Sequence, residues 1–187
     1  AGAQANLAKM YADGTGVAED DRQAYDLFKL SAEQGYADAQ YNLGLIYESG
    51  DGIYKDFERS AHWYHRAALQ GHAAAQSNLG AMYANGKGVL SDFEKALKWL
   101  HLAAEQGYAP AQSILGDIYA NGTGVAPDTQ LALQWYRNAA SQGYADAQYN
   151  MGIVYAQGIG VAVDTQQAIQ WFRNAANRGH AEAQYMM

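Results

Sequence analysis

The 187-residue chain contains no cysteine, which excludes disulfide stapling and thiol chemistry but leaves the compartment open to a periplasmic, secreted or cytoplasmic setting. Charge is sparse as well. Asp, Glu, Lys and Arg make up 17% of the residues, and 12 basic against 19 acidic side chains give a formal net charge of −7. Lysine and arginine nowhere form a block. A nucleic acid, whose affinity comes from phosphates neutralised by such a block, is therefore not an expected partner. An anionic membrane surface is disfavoured for the same reason. No apolar run approaches the roughly 20 residues that cross a bilayer, so membrane insertion by a helix is not expected. The sequence opens at Ala1 without an apolar leader, an observation of little weight because targeting peptides are removed.

Repetition is what the chain has in abundance. Gln4 recurs as Gln40, Gln76, Gln112, Gln148 and Gln184, always 36 residues further on. A phrase travels with it: AQYNLGLIYESGDGI at 39–53, AQSNLGAMYANGKGV at 75–89, AQSILGDIYANGTGV at 111–125 and AQYNMGIVYAQGIGV at 147–161. A fixed period of this length marks a stack of like units rather than one ordinary domain. In the second copy Gln40, Leu43, Gly44 and Tyr47 fall at i, i+3, i+4 and i+7, the stripe of a helix expected over about 38–49. Gly50 should stop it with a left-handed cap.

A second helix is expected to open near Asp20, Asp56, Asp92, Asp128 and Asp164, where a carboxylate caps orphan amides. Ser91 followed by Glu94 also fits a capping box. Ala96, Trp99, Leu100, Ala103 and Ala104 then form the apolar stripe of the third copy. Gly44, Gly80, Gly116 and Gly152 sit mid-helix, where each costs about 1 kcal/mol relative to alanine. The expected reason is a helix crossing too closely for a side chain. Leu79 is expected in the core.

The pattern A-x-A-Q-x-x-L-G-x-x-Y-x-x-G-x-G-V, followed by A-x-x-W-x-x-x-A-A-x-x-G, resembles the Sel1-like repeat, a relative of the tetratricopeptide repeat. The resemblance covers nearly the whole chain. It departs at Leu27 (for tryptophan), Ser60 (for alanine) and Ala8 (for glycine). It implies an all-α, right-handed solenoid of about five 36-residue helix–loop–helix repeats, at about 2–37, 38–73, 74–109, 110–145 and 146–181. Residues 182–187 would begin a sixth. The first helices would line a concave groove, and the function implied is that of a scaffold or adaptor assembling other proteins, in bacterial signalling, envelope or host contact among other settings.

Five copies in one chain separate columns that repeat, needed for stacking, from columns that vary, free for recognition. On the first helices Tyr41 and Leu45, Asp117, and Tyr149 and Ile153 belong to a varying stripe that the resemblance places in the groove. Beside it run Asn42, Asn78 and Asn150, with Asn6 before them and Ile114 interrupting. Such amides either bond the main chain of an extended peptide or tie neighbouring helices. The expected ligand is a protein or peptide with apolar and basic groups, because positive charge is not concentrated in this stripe. A glycan stacked on the tyrosines is the alternative.

Catalytic patterns are weak. The Gly-x-Gly pairs follow a helix rather than a strand, so they do not read as a nucleotide loop. His62 and His65 lack an arranged third metal ligand, and no serine is paired with a histidine at readable spacing. No cofactor or enzymatic activity is expected. Cysteine-rich relatives of this repeat are associated with β-lactam binding and hydrolysis, but they carry paired cysteines that this chain lacks. Tyr185, Met186 and Met187 are expected to lie partly uncovered, so that the array continues or pairs end to end with another copy.

Overall fold

The computed structural model describes residues 1–186, and Met187 lies outside them. Among the described residues there are eleven helices and no strand. They are α1 (Gly2–Asp13), α2 (Asp21–Glu33), α3 (Ala37–Ser49), α4 (Phe57–Leu69), α5 (Ala73–Asn85), α6 (Phe93–Glu105), α7 (Ala109–Asn121), α8 (Thr129–Ser141), α9 (Ala145–Gln157), α10 (Thr165–Asn177) and α11 (Ala181–Tyr185). Contacts divide the chain into two compact units, residues 1–99 and residues 100 onward. In the first unit each of α1 to α4 packs on the helix that follows it; in the second, each of α7 to α10 does.

The boundaries follow from caps. At the end of each first helix a glycine takes the left-handed conformation: Gly50 has φ 88°, and its amide returns to the Ile46 carbonyl. Four second helices open where Asp20, Asp56, Asp128 or Asp164 accepts from the amide three residues on. The third-repeat helix does the same with Asp92, which accepts from the Lys95 amide at 3.0 Å. This overturns the capping box expected from Ser91 and Glu94. The aspartate one residue later takes the capping position, and the Ser91 hydroxyl turns to the Ala84 carbonyl instead.

The recurring glutamine has a structural task. Gln40, Gln76, Gln112 and Gln148 are buried, and each side-chain amide donates to a carbonyl near the end of the preceding helix: Ala32, Ala68, Ala104 and Ala140, at 3.0–3.2 Å. Gln70 and Gln142 then donate to the side-chain oxygens of Gln40 and Gln112. Carbonyls that a helix end leaves unpaired are thereby satisfied inside the protein.

Close helix approach explains three of the mid-helix glycines, Gly44, Gly116 and Gly152. A Cβ on Gly44 would lie 2.5 Å from the Tyr64 ring, one on Gly116 2.5 Å from the Tyr136 ring, and one on Gly152 2.5 Å from the Phe172 ring. The first unit's cores gather Phe28, Leu43 and Tyr47, then Tyr64, Leu79 and Met82. The second unit's core gathers Leu133, Tyr136, Met151 and Val154. Leu79 is buried as its stripe requires, at 1% exposure.

Candidate functional site

The packed aromatic at the glycine crossing differs between repeats, and its polar partner differs with it. Tyr64 is fully buried, and its hydroxyl donates to Glu48 at 2.8 Å. The Tyr136 hydroxyl donates to Asp117 at 2.7 Å. Where this place holds Phe28, Leu100 or Phe172, no hydroxyl needs an acceptor. The two helix positions that supply the acid are then Lys9 and Ala12, Ala81 and Ala84, or Ile153 and Ala156. An asparagine from the following repeat completes each set: Asn78 bonds the Tyr64 hydroxyl, and the Asn150 amide donates to Asp117 at 3.1 Å. Asn42 instead donates to the Asp38 carbonyl of its own helix.

The two acids differ in electrostatics. Burial pushes Glu48 up, but hydrogen bonds from Lys87 and Tyr64, with the lysine's charge, outweigh it and leave the carboxyl below its ordinary range. The Lys87 ammonium sits 2.9 Å from Glu48 and 4.3 Å from the centre of the Phe57 ring. Asp117 is raised, by burial first and by the nearby charge of Asp146; the bonds from Tyr136 and Asn150 only partly oppose this. Burial and the acid neighbours together drive both tyrosine hydroxyls far above their usual range.

Each set lies at the wall of a recess, and recesses recur at equivalent repeat junctions. In the first unit one of about 280 Å³ between α1, α2 and α3 includes Asn42 and Leu45, and one of about 140 Å³ includes Asn78, Glu48 and Lys87. In the second unit a recess of about 300 Å³ brings together Asp117, Asn150 and Ile153 over a floor of Leu133 and Val154. Six of the eight expected recognition residues thus border recesses of one kind.

Tyr41 and Tyr149 do not. The Tyr41 ring stacks on His72 at 4.6 Å, and the Tyr149 ring stacks on His180 at 4.3 Å, so both are half-buried by the chain itself. Tyr149 also borders a shallow recess with Glu182, Tyr185 and Met186. The sequence pairs these choices. Repeats with Ala5, Ser77 or Ser113 at the tyrosine's place carry Tyr36, Tyr108 or Tyr144 where the histidine would be. His72 and His180 also act as caps, each accepting a backbone amide through Nδ1. Burial lowers the pKa of His72, with Asp38 opposing.

Sequence reasoning missed a recess of about 710 Å³ in the first unit, walled by Arg22, Lys29, Lys55 and Arg59 around Tyr25 and Tyr47. The two tyrosine hydroxyls meet at 2.9 Å, and burial with that bond pushes Tyr25 up to about 12. No local run of the sequence announces it, because Arg22 and Lys29 come from α2 whereas Lys55 and Arg59 come from the loop after α3 and the start of α4. Asp26 and Asp56 pair with the two arginines at 3.5 and 3.3 Å, so the chain meets much of this charge itself. His62 and His65 lie edge-on against Trp63 and Trp99. No group of three or more metal-ligating side chains occurs among the described residues.

Stacked helix pairs with a 36-residue period, tied by a buried glutamine and a glycine crossing, define an all-α solenoid of helix–loop–helix repeats. The Sel1 repeat model matches residues 1–36, 37–72, 73–108, 109–144 and 145–180, and the chain belongs to the Sel1 repeat family. Proteins of this family generally mediate protein–protein interaction, and the fold is typically a non-enzymatic scaffold. A Sel1 repeat protein from Oxalobacter formigenes is 36% identical with a TM-score of 0.92, over 97% of this chain and 72% of that one. A protective antigen of uropathogenic Escherichia coli displaying an SLR fold is 41% identical with a TM-score of 0.88, over 98% of this chain and 39% of that one. An immunity protein from Pseudomonas aeruginosa is 25% identical with a TM-score of 0.68, over 97% of this chain and 67% of that one. No curated protein matches. No helix among the described residues is long and apolar enough to cross a membrane.

Proposed function

We propose that the chain is a non-catalytic scaffold that holds a peptide segment of a partner protein at the first-helix rims of its recesses. One observation carries this reading: equivalent recesses recur with an apolar side chain at one shared position (Ile46, Met82, Val154) and a rim that changes from repeat to repeat. A recess that served only packing would have no reason to vary its mouth. Asn42, Leu45, Asn78, Asp117, Asn150 and Ile153 are the proposed contacts, and the open edges of Tyr41 and Tyr149 flank them. The non-catalytic part rests on chemistry. The hydroxyls of Tyr64 and Tyr136 are held protonated by their surroundings, the opposite of an activated nucleophile.

Selection of a phage-displayed peptide library on the whole chain tests the proposal, with a glycan array probed in parallel. Enriched peptides should lose affinity for an Ile153→Ser variant whose thermal midpoint stays within a few degrees of the parent. Glycan binding with no peptide enrichment would replace this reading with the carbohydrate one.

A further inference from the structure

The repeat junctions act as internal controls for one another. In the recess between the second and third repeats the acid is answered from within, because Lys87 reaches across from the loop after α5 to Glu48 and covers the Phe57 ring. Between the first and second repeats Lys9 lines the wall with Asp13, Asp21 and Asp51. Between the fourth and fifth repeats the acid is Asp117, yet among the described residues no lysine, arginine or histidine lines the recess. Two periods of 36 residues separate the equivalent places: Ile159 stands where Lys87 does, and Thr129 where Phe57 does. A long cation and a large ring have become a short alkyl group and a small one. The recess is correspondingly about 300 Å³ against about 140 Å³.

The negative charge itself has not gone. Glu48 and Asp117 come from helix positions one turn apart, but each accepts from the tyrosine hydroxyl at the same repeat position, so the charge falls in the same place. Asp117 is held by a phenol and an amide, both neutral donors. A carboxylate on the open wall of an apolar-floored recess, held by neutral donors with no cation beside it, keeps acceptor capacity for a charged donor.

We infer that this recess receives a lysine or arginine side chain of the partner polypeptide, its alkyl stem against Leu133, Ile153 and Ile159 and its charged end on Asp117. The first unit displays the occupant in its own Lys87, whose ammonium lies over the Phe57 ring and on the acid. The inference rests on the scaffold reading, to which it adds the partner's chemistry.

Isotope-edited NMR of the whole chain tests it, using Nα-acetyl-lysine amide, Nα-acetyl-arginine amide and the uncharged Nα-acetyl-norleucine amide as probes. The two cations should give saturable shifts at the amides of Asp117, Asn150, Ile153 and Ile159. Norleucine should bind about tenfold more weakly or worse, the factor expected when a hydrogen bond between charged groups is lost. Asp117→Asn should abolish the preference for cations. Ile159→Lys, an exposed loop change that supplies the missing lysine internally, should block the probes; Lys87→Ile should open a new cation site beside Glu48. Equal response to all three probes, cation binding that survives Asp117→Asn, or silence from the cations each overturns the inference. Silence here with peptide enrichment in the library selection would leave the scaffold standing and remove only the basic anchor.

Discussion

Replacing Gly116 by alanine opposes two physical effects of known sign. Helix propensity alone favours the change by about 1 kcal/mol, because glycine is the poorer helix former. The crossing helix opposes it. The new Cβ would lie 2.5 Å from both Cδ1 and Cε1 of Tyr136, against an ordinary carbon–carbon contact of about 3.5–4.0 Å. The ring must retreat by about 1 Å, yet it is 6% exposed and its hydroxyl is held by Asp117 at 2.7 Å. Overpacking of this kind costs about 1–3 kcal/mol, and a loosened bond to the carboxylate adds to it. Net destabilisation of about 2 kcal/mol is expected, which lowers Tm by about 4–8 °C in a chain of this length. Calorimetry and urea titration read it directly. In a Tyr136→Leu background, where the ring is absent, the same glycine substitution should cost less, a coupling that a double-mutant cycle isolates. A Tm equal to or above the parent's would refute the claim that glycine is held here by the crossing rather than by chance.

Ser60 is fully buried and its hydroxyl finds no partner among the described residues, whereas the other repeats have alanine at this place; Ser60→Ala should raise stability by about 1 kcal/mol, checked by the urea midpoint. Leu79→Ala, at a site 1% exposed, should cost about 2–5 kcal/mol by the same assay. The two equivalent carboxylates should respond oppositely to neutralisation. Glu48 has a lowered pKa, so its stabilisation is present above the unfolded value and lost as pH falls from there through the lower folded value; Glu48→Gln should lower the midpoint at pH 7. Asp117 has a raised pKa, so stability falls as pH rises from the unfolded toward the folded value; Asp117→Asn should leave the pH 7 midpoint unchanged or higher. Midpoints that shift down equally in both variants would contradict the assignment of Lys87 to one acid alone.

Elements written into every repeat could be read from the chain before any coordinates. The 36-residue period is visible as recurrence, and the Gly50-type stop and the capping aspartates are local signals, each acting within a few residues of itself. Local competition was harder to judge: Ser91 and Asp92 both qualify as caps, and the longer reach and charge of the aspartate decides between them. The role of Gln112 was invisible, because its bond to Ala104 depends on how the short turn folds back. Asp117 read as a charge on the rim, since nothing in its spacing announces the Tyr136 hydroxyl. Glu48 serves the same hydroxyl position from 16 residues away and Asp117 from 19, so no fixed motif records the pairing. The trade of Tyr41 and His72 for Ala5 and Tyr36 is in the sequence, but only the stacked rings show which columns to compare.

The division of labour between repeated and varied columns is tested most directly by one saturation-mutagenesis scan of residues 109–161, sorted twice, for folded display and for capture of library-selected peptides. The account predicts that substitutions at Gln112, Gly116 and the fully buried Leu115 and Ala139 remove both signals, while those at Asp117, Ile153 and Ile159 remove capture and spare display. Peptide capture indifferent to Asp117, Ile153 and Ile159, in variants that still display, would contradict it.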